Sequence, residues 1–172
     1  MIGLGSNLES PELGSSPQIL SWALDRLERF FGPLEVSPLF RSAPISPIPQ
    51  PDFFNAVACA RSPDGLRPED CLARLMEIER RAGRHREPRR DGRPAGSLGP
   101  RVLDLDLLLF GRERRDRPDL VVPHPRLRER RFVIEPLFRL RPDLRLEPDG
   151  ATVTEVRDRL GTAQRLEPVP WT

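Results

Sequence analysis

The segment Gly99-Pro-Arg-Val-Leu-Asp-Leu-Asp-Leu-Leu-Leu-Phe-Gly111 decides the fold and points to the chemistry. From Arg101 onward it predicts a strand, in which residues two apart share one face, so Asp104 and Asp106 project side by side. Residues 107–110 then leave neither face polar, which is typical of a strand covered on both sides. The sequence therefore brings two neighbouring acids into a core strand.

Two adjacent carboxylates are costly to bury without partners. The usual partners are bound cations, arginine side chains or a proton on one of the acids. Because no soft ligand lies nearby in the sequence, a hard cation such as Mg²⁺ suits the pair. An isolated Asp-x-Asp pair more often faces water at the end of a strand, so the surrounding sequence must decide.

Composition limits the class of protein. A length of 172 residues is enough for one domain with a buried core, and we expect a single domain over residues 1–172 whose tail after about residue 142 is peripheral. All 28 basic residues are arginine, which excludes a P-loop lysine and a Schiff base. The net charge of +2 gives no indication of nucleic-acid binding.

The location follows from the absence of targeting signals. The sequence has neither a signal-peptide pattern nor an apolar run near 18 residues, so we expect no association with a membrane. Cys59 and Cys71 are too far apart for a Cys-x-x-Cys motif and lie in apolar patterns, which favours reduced, buried thiols. We therefore expect a cytoplasmic protein, and we expect it to be a monomer.

Apolar periodicity and breaker residues predict the elements. Strands are expected near 2–7, 34–41, 53–60 and from 101, with helices from Ser15 to Phe31 and from Pro68 to about Gly83. This order predicts an α+β protein, a ferredoxin-like βαββαβ sandwich with C-terminal additions. In those additions we expect a turn at 112–117, an edge segment at 120–125, a helix over 126–140 interrupted at Pro136, a hairpin or helix near 154–160, and a loose end.

Two further features carry chemistry. Asn55 is the one polar side chain in the apolar run 53–60; it is either a core amide bonded to backbone or an amide that pairs with a flat heterocycle stacked near Phe53. Arginines crowd the stretch between Glu79 and Gly99, most of which is typical of a solvated loop. Metal-binding acids flanked by arginines are also the arrangement that a polyphosphate requires.

Six motifs follow one another along the chain: Gly3-Leu-Gly-Ser-Asn-Leu8, Phe40-Arg-Ser-Ala-Pro-Ile45, Gln50-Pro-Asp-Phe-Phe-Asn55, Glu79 with Gly83-Arg-His-Arg86, Gly99-Pro-Arg-Val-Leu-Asp-Leu-Asp106, and Val122-Pro-His-Pro125 with Arg130-Arg-Phe132. Together they resemble the 6-hydroxymethyl-7,8-dihydropterin pyrophosphokinases of folate biosynthesis, from the first strand to about Leu137.

The resemblance implies transfer of the terminal diphosphate of ATP to the hydroxymethyl group of the pterin, leaving AMP. It implies that Asp104 and Asp106 hold two Mg²⁺ ions and that the segment between Arg86 and Gly99 is a mobile lid. Beside these acids it implies catalytic roles for Arg84, Arg86 and Arg101, an ATP site that also includes Glu79, Leu107, His124 and Arg130, and a pterin site made of Gly5, Ser42, Ala43, Ile45, Phe53, Asn55 and Phe132.

Two other functions are compatible with parts of the sequence. An RNA-binding module on the same scaffold would need exposed sheet aromatics for stacking bases, and the paired acids would repel its phosphates in the absence of metal. A metal-dependent phosphohydrolase would use the same acids but would have no need of the ligand loop from Gln50 to Asn55. Both are less consistent with the sequence than a kinase with small-molecule substrates and no nucleic-acid partner.

Overall fold

The computed structural model describes residues 1–84 and 99–171. Its strands are β1 (Ile2–Ser6), β2 (Leu34–Val36), β3 (Leu39–Ser42), β4 (Phe53–Ala60), β5 (Asp104–Leu107), β6 (Arg115–Arg117), β7 (Leu120–Val122), β8 (Arg145–Leu146), β9 (Ala151–Thr152) and β10 (Leu166–Val169). Its α-helices are α1 (Ser16–Phe31), α2 (Pro68–Arg81), α3 (Arg131–Leu140) and α4 (Val153–Leu160), and a 3₁₀ turn covers Leu127–Glu129.

The main sheet is antiparallel and runs in the order β10-β3-β4-β1-β5, with β2 also paired to β4. If β2 and β3 are counted as one strand, β5, β1, β4 and that strand stand in the order 4-1-3-2 of a ferredoxin-like fold. This confirms the predicted α+β, ferredoxin-like class. The sheet places β1 between β4 and β5.

Helices cover both faces of the sheet. On one face, α1 and α2 bury Leu20, Leu27 and Leu75 against Ile2 and Leu4 of β1. On the other face, α3 and α4 form a second core, in which Ile134, Leu137 and Val156 pack with Val57 and Leu108. Alternation along the strands supplies both cores, because neighbouring residues of a strand point to opposite faces.

The predicted strand 34–41 is divided in two at Ser37-Pro38. A proline has no N–H to donate to a ladder, so β3 begins only after it. Ser37 keeps the chain attached to β4, because its Oγ accepts from the Val57 N–H at 3.0 Å. The strand count therefore rises by one without changing the topology.

The strand around the two acids is shorter than the sequence predicts. β5 begins at Asp104 and not at Arg101, and it ends at Leu107. The Arg101 carbonyl instead accepts from the N–H groups of Asn7 and Leu8, after β1 has ended. At the other end, the N–H groups of Leu108 and Leu109 both donate to the Met1 carbonyl, which stops the regular ladder.

The C-terminal third also differs from expectation. The segment predicted as a turn, 112–117, contains β6, which pairs with β7, and α3 continues through Pro136, which lies inside it. A proline removes one helical hydrogen bond, and burial of Ile134 and Leu137 offsets that loss. The chain end is not loose, since β10 pairs with β3 at the edge of the main sheet.

None of the helices within residues 1–84 and 99–171 has the length and apolar composition needed to cross a bilayer.

Candidate active site

A cavity of about 440 Å³ opens where β1, β4 and β5 meet the start of α3 and the proline-rich segment after β3, residues 43–51. It collects residues that are far apart in the sequence, most of them polar or charged. Its lining includes Gly3, Gly5, Ser42, Ala43, Ile45, Ser46, Gln50, Phe53, Asn55, Arg84, Arg101, Asp104, Asp106, His124, Arg126, Glu129, Arg130, Phe132 and Gln164. Thirteen of the sixteen predicted site residues are in this set.

The floor of the cavity is one row across three strands. Gly5 of β1 pairs with Asn55 of β4 on one side and with Asp104 of β5 on the other. At about 4.8 Å between neighbouring strands, the backbones of Asn55 and Asp104 stand roughly 10 Å apart. A Cβ on Gly5 would lie 3.6 Å from Asn55 Oδ1 and 3.7 Å from Asp104 Cβ, so the glycine keeps the space between them open.

Asn55 is buried, with 4% of its surface exposed. Its Nδ2 donates to Ser42 Oγ at 3.0 Å, so its amine contacts a side chain of β3 and not the backbone. With the amine on Ser42, Oδ1 lies on the floor of the cavity beside Gly5. Of the two interpretations of Asn55, this geometry favours the amide that faces a ligand.

Two aromatic rings line the same end of the cavity. Phe53 has the Arg101 guanidinium 5.5 Å from its ring centroid, and Phe132 has the Arg130 guanidinium at the same distance. Each ring is thereby held beside a cation through the attraction of the charge for the aromatic face. Flat rings and nearby positive charge are what a heteroaromatic ligand with a phosphate group requires.

The paired acids are neutralised by protein cations. Asp104 accepts from Arg84 and from Arg101 Nη1, the latter at 2.6 Å. Asp106 accepts from Arg130 Nη1 at 3.1 Å, and His124 Nε2 lies 3.9 Å from the same oxygen. The sequence left three ways to neutralise the paired acids: a bound cation, arginine side chains or a proton. The structure shows arginine side chains beside both acids.

The two acids differ in electrostatic environment. Burial acts to raise the pKa of Asp104, but Arg84 and Arg101 outweigh it, so that pKa is lowered. Burial and the charge of Asp104 raise the pKa of Asp106, and His124 and Arg130 offset this only in part. The ionised form of Asp106 is thus less well stabilised than that of Asp104, and an additional cation would stabilise it most.

His124 is held by the backbone. The backbone N–H of His124 donates to the Leu108 carbonyl at 2.9 Å, and its ring Nδ1 accepts from the backbone N–H of Arg126 at 3.1 Å. Burial lowers the pKa of His124, opposed by Asp106, so the ring is neutral with its proton on Nε2, which faces Asp106. A loop histidine is therefore a positioned donor at the cavity.

Two of the predicted residues that the structure describes, Glu79 and Leu107, do not line the cavity. Glu79 is only 1% exposed, and its carboxylate accepts from the Leu105 N–H at 2.8 Å and pairs with Arg84, so it lies beneath the cavity lining and not in it. The Leu107 side chain lies in the apolar core, because alternation along β5 turns it away from the acids. Arg86 and the predicted lid, 87–98, lie outside the described residues.

Sequence reasoning missed several residues of the cavity. Arg126 follows His124 by two positions, a signal that could have been used, whereas Gln164 is brought in only by the pairing of β10 with β3. Asn7, in the first motif, was given no role. It donates to Gln50 Oε1 and to the Pro51 carbonyl, both at 3.0 Å, and it accepts from the Arg101 N–H at 2.7 Å.

The donor set fits Mg²⁺ only if the ion is shared with an anion. Among residues 1–84 and 99–171, no three acidic, histidine or cysteine side chains gather at one point. Mg²⁺ in phosphate-binding sites is, however, commonly held by one or two carboxylates together with phosphate oxygens and waters. Asp104 and Asp106 provide two carboxylates on one strand face, so they match this kind of site.

Comparison with known proteins identifies the family. The family model described as 7,8-dihydro-6-hydroxymethylpterin-pyrophosphokinase matches residues 1–142. A Pseudomonas aeruginosa protein named 2-amino-4-hydroxy-6-hydroxymethyldihydropteridine pyrophosphokinase is 43% identical over 157 residues, which is 90% of this chain and 87% of that protein. Proteins of the same name from Haemophilus influenzae and Synechocystis are 36% and 32% identical over 90% and 93% of this chain, covering 88% and 75% of their own lengths. The chain belongs to the 7,8-dihydro-6-hydroxymethylpterin-pyrophosphokinase family.

Proposed function

We propose that the cavity is the active site at which this pterin pyrophosphokinase of folate biosynthesis transfers the diphosphate of ATP to 6-hydroxymethyl-7,8-dihydropterin. One observation carries the assignment of the site: Asn55 and Asp104 flank Gly5 on neighbouring strands. This row joins an amide suited to a flat heterocycle to an acid pair suited to a metal-bound polyphosphate. The two substrates would meet above Gly5.

The pterin side is formed by the ends of β3 and β4 with the start of α3. Asn55 would hydrogen-bond the edge of the ring, while Phe53 and Phe132 would cover its faces. Ser42 holds Asn55 in orientation, and Gly5 leaves room for the ring. Ala43 and Ile45, at the start of the proline-rich segment, would close the site from the side.

The ATP side is formed by the acids and the arginines around them. Arg84, Arg101 and Arg130 would exchange their present carboxylate partners for phosphate oxygens, which they can bind with paired N–H donors. His124 would donate from Nε2, and Arg86 would add a further charge. Leu107 would contribute only its backbone. The Leu105 N–H points away from β1 and donates to Glu79, and the N–H of Leu107, two residues further on, points to the same open edge of β5.

We propose that Asp104 and Asp106 hold two Mg²⁺ ions together with ATP. When bound, Mg²⁺ would neutralise charge on the transferring diphosphate and on the leaving phosphate. The acids are then relieved of their mutual repulsion. The arginines that now neutralise them are released to the nucleotide, which keeps the site close to charge balance before and after binding.

In the reaction, the hydroxymethyl oxygen attacks the β-phosphorus of ATP. The bond between that phosphorus and the bridging oxygen to the α-phosphate breaks, AMP leaves with the electron pair, and the hydroxyl proton is released. Phosphoryl transfer depends mainly on alignment and charge neutralisation, so positioned arginines and acids are sufficient without a strong general base. Asn55 would align the pterin, and Arg84 and Arg101 would align the phosphates.

The test is the product pattern with ATP, Mg²⁺ and the reduced pterin. We expect AMP and the pterin diphosphate in equal amounts, with no AMP when the pterin is omitted. Release of ADP or free phosphate without the pterin would instead support the phosphohydrolase. Asp116→Asn, on the exposed strand β6, is a suitable control for Asp104→Asn, which we expect to abolish turnover.

We also propose that the enzyme is a cytoplasmic monomer built as one domain. The described residues that line the proposed site come together within a single chain. Cys59 and Cys71 are free and buried, which fits a reducing compartment. Equilibrium sedimentation at the concentration used for the activity measurement would test the monomer.

A further inference from the structure

Gln164 lies beyond residue 142, where the family match ends, yet it lines the cavity. It stands between α4 and β10, and the register of β10 accounts for its position. Leu166 pairs with Ser42, so the antiparallel ladder brings the residues just before it alongside the first residues of the proline-rich segment. The C-terminal addition therefore delivers a side chain to the pterin end of the site.

The two ends of the Gln164 amide have different surroundings. Nε2 donates to the Ala43 carbonyl at 3.4 Å, and because a carbonyl can only accept, this contact decides which end of the amide is the amine. Oε1 is buried and has no hydrogen-bond partner among residues 1–84 and 99–171. An unsatisfied buried acceptor is unfavourable, and at a cavity it is readily explained by a ligand donor.

Gln164 and Asn55 are arranged in the same way. Each directs its amine to the end of β3, Asn55 to Ser42 Oγ and Gln164 to the Ala43 carbonyl. Asn55 thereby keeps its oxygen beside Gly5, and Gln164 keeps an oxygen that has no partner among residues 1–84 and 99–171. A reduced pterin carries several N–H donors on the edge of its ring, so two oriented amide oxygens are matched to one ligand.

We propose that Gln164 is a second carboxamide of the pterin site, whose Oε1 accepts a hydrogen bond from a pterin N–H. This inference rests on the proposed function, because the ligand it names is the substrate proposed for the cavity. Gln164 becomes a specificity residue supplied by the C-terminal addition. Its amine donates to the Ala43 carbonyl at the start of the proline-rich segment, and its oxygen would accept from an N–H of the pterin ring.

The experiment measures binding of 6-hydroxymethyl-7,8-dihydropterin by calorimetry in the presence of Mg²⁺ and α,β-methylene ATP. Gln164→Leu removes both polar ends of the side chain, whereas Gln164→Glu keeps an acceptor and removes the amine. Thr162→Ala, at an exposed position in the same segment, is the matched control. Gln164→Ala provides a second truncation if the leucine variant does not fold, and melting temperatures verify the fold of each variant.

We expect Gln164→Leu to weaken pterin binding about tenfold, as for loss of one hydrogen bond to a buried group, with ATP affinity unchanged. Gln164→Glu keeps an acceptor but loses the amine that orients it, so it should bind the pterin more tightly than Gln164→Leu and less tightly than the wild type. Thr162→Ala should match the wild type. The inference is overturned if Gln164→Leu binds within twofold of the wild type. It is also overturned if Gln164→Glu is as weak as Gln164→Leu, since the amine would then be the part that matters.

The wild type separates this inference from the proposed function. If the wild type forms pterin-dependent AMP but Gln164→Leu binds normally, only the role of Gln164 fails. If the wild type neither binds the pterin nor forms AMP, the proposed function fails and the inference is overturned with it.

Discussion

At the scale of single residues, Arg84 has two roles that the sequence does not separate. Its guanidinium pairs with buried Glu79 and with Asp104, and it also donates to the Leu103 carbonyl at 3.1 Å. It thus ties the end of α2 to β5 while lining the cavity. Sequence reasoning placed Arg84 and Glu79 separately against ATP, because a pattern of charges does not reveal which of them face each other.

Arg84→Leu should therefore reduce stability as well as activity. Breaking a buried ion pair removes a neutralising partner of the Glu79 carboxylate, and we expect a loss of about 3 kcal/mol in the free energy of unfolding. Adding Glu79→Gln should restore most of that stability but not the activity. Urea unfolding of the single and double variants measures both effects.

Arg80→Leu is the matched control, because Arg80 is exposed near the end of the same helix and pairs with Glu77 at 3.0 Å. Loss of such a surface pair should cost less than about 1 kcal/mol. Equal destabilisation by Arg80→Leu and Arg84→Leu would show that the buried pair with Glu79 has no special importance.

The raised pKa of Asp106 leads us to expect that nucleotide binding depends on pH. Burial and Asp104 raise the pKa of Asp106, so its carboxylate becomes protonated at a higher pH than an ordinary aspartate. Because only the carboxylate can share Mg²⁺ with ATP, affinity for Mg²⁺ and ATP should fall as the pH decreases through that raised pKa. Calorimetric titrations of α,β-methylene ATP over a series of pH values give the midpoint.

Arg130→Gln removes a cation that lowers the pKa of Asp106, so the midpoint should move to higher pH. Arg128→Gln is the control, since Arg128 pairs with Asp149 at 2.9 Å on the 3₁₀ turn and does not line the cavity. An unchanged midpoint in Arg130→Gln would mean that Asp106 does not govern the acid side of the profile.

At the scale of elements, the central position of β1 explains why a short glycine-containing strand matters. Gly5 stands between Asn55 and Asp104, so any side chain there enters the floor of the cavity. The glycine motif alone could not distinguish an ordinary turn from a close approach to a ligand. The sheet order decides it, because β1 is flanked by the two strands that carry the polar site residues.

Gly5→Ala should fold normally and bind the pterin less well. Its Cβ would meet Asn55 Oδ1 and Asp104 Cβ at 3.6 and 3.7 Å, which are ordinary contacts, and the backbone of Gly5 is not left-handed. The added methyl would occupy space proposed for the ring, at a cost of about 1–2 kcal/mol in pterin binding. A melting temperature near that of the wild type with unchanged pterin affinity would show that the ring does not lie over Gly5.

The elements that the sequence predicted well are those with strong local signals. α1 and α2 have apolar periodicity and begin with a proline in the first turn, and both are found close to their predicted starts. β10 could not be predicted, because Leu166–Val169 contains a proline and only four residues, and its partner β3 is more than a hundred residues away. Such an edge strand depends on tertiary pairing.

At the scale of the whole molecule, the fold and the chemistry were predictable to different degrees. Alternation and periodicity gave the ferredoxin-like order, and the motif series gave the family. The pairing of each acid with arginines could not be read from the sequence, since Arg84, Arg101 and Arg130 reach the acids from three separate segments. The two-carboxamide arrangement likewise depends on how the C-terminal addition closes the sheet.

The pairing of both acids with arginines suggests one coordinated exchange. We propose that ATP and Mg²⁺ bind together, the metal taking the acids and the phosphates taking the arginines. Neither ligand alone would be expected to bind tightly, because each would leave one set of charges without its new partner.

A crystal structure with Mg²⁺, α,β-methylene ATP and the pterin tests this account most directly. We expect carboxylate oxygens of both Asp104 and Asp106 to contact Mg²⁺, with guanidinium groups of Arg84 and Arg101 moved to phosphate oxygens. The account is contradicted if, in such a complex, both acids still pair only with arginines while the metal is held by the phosphates alone.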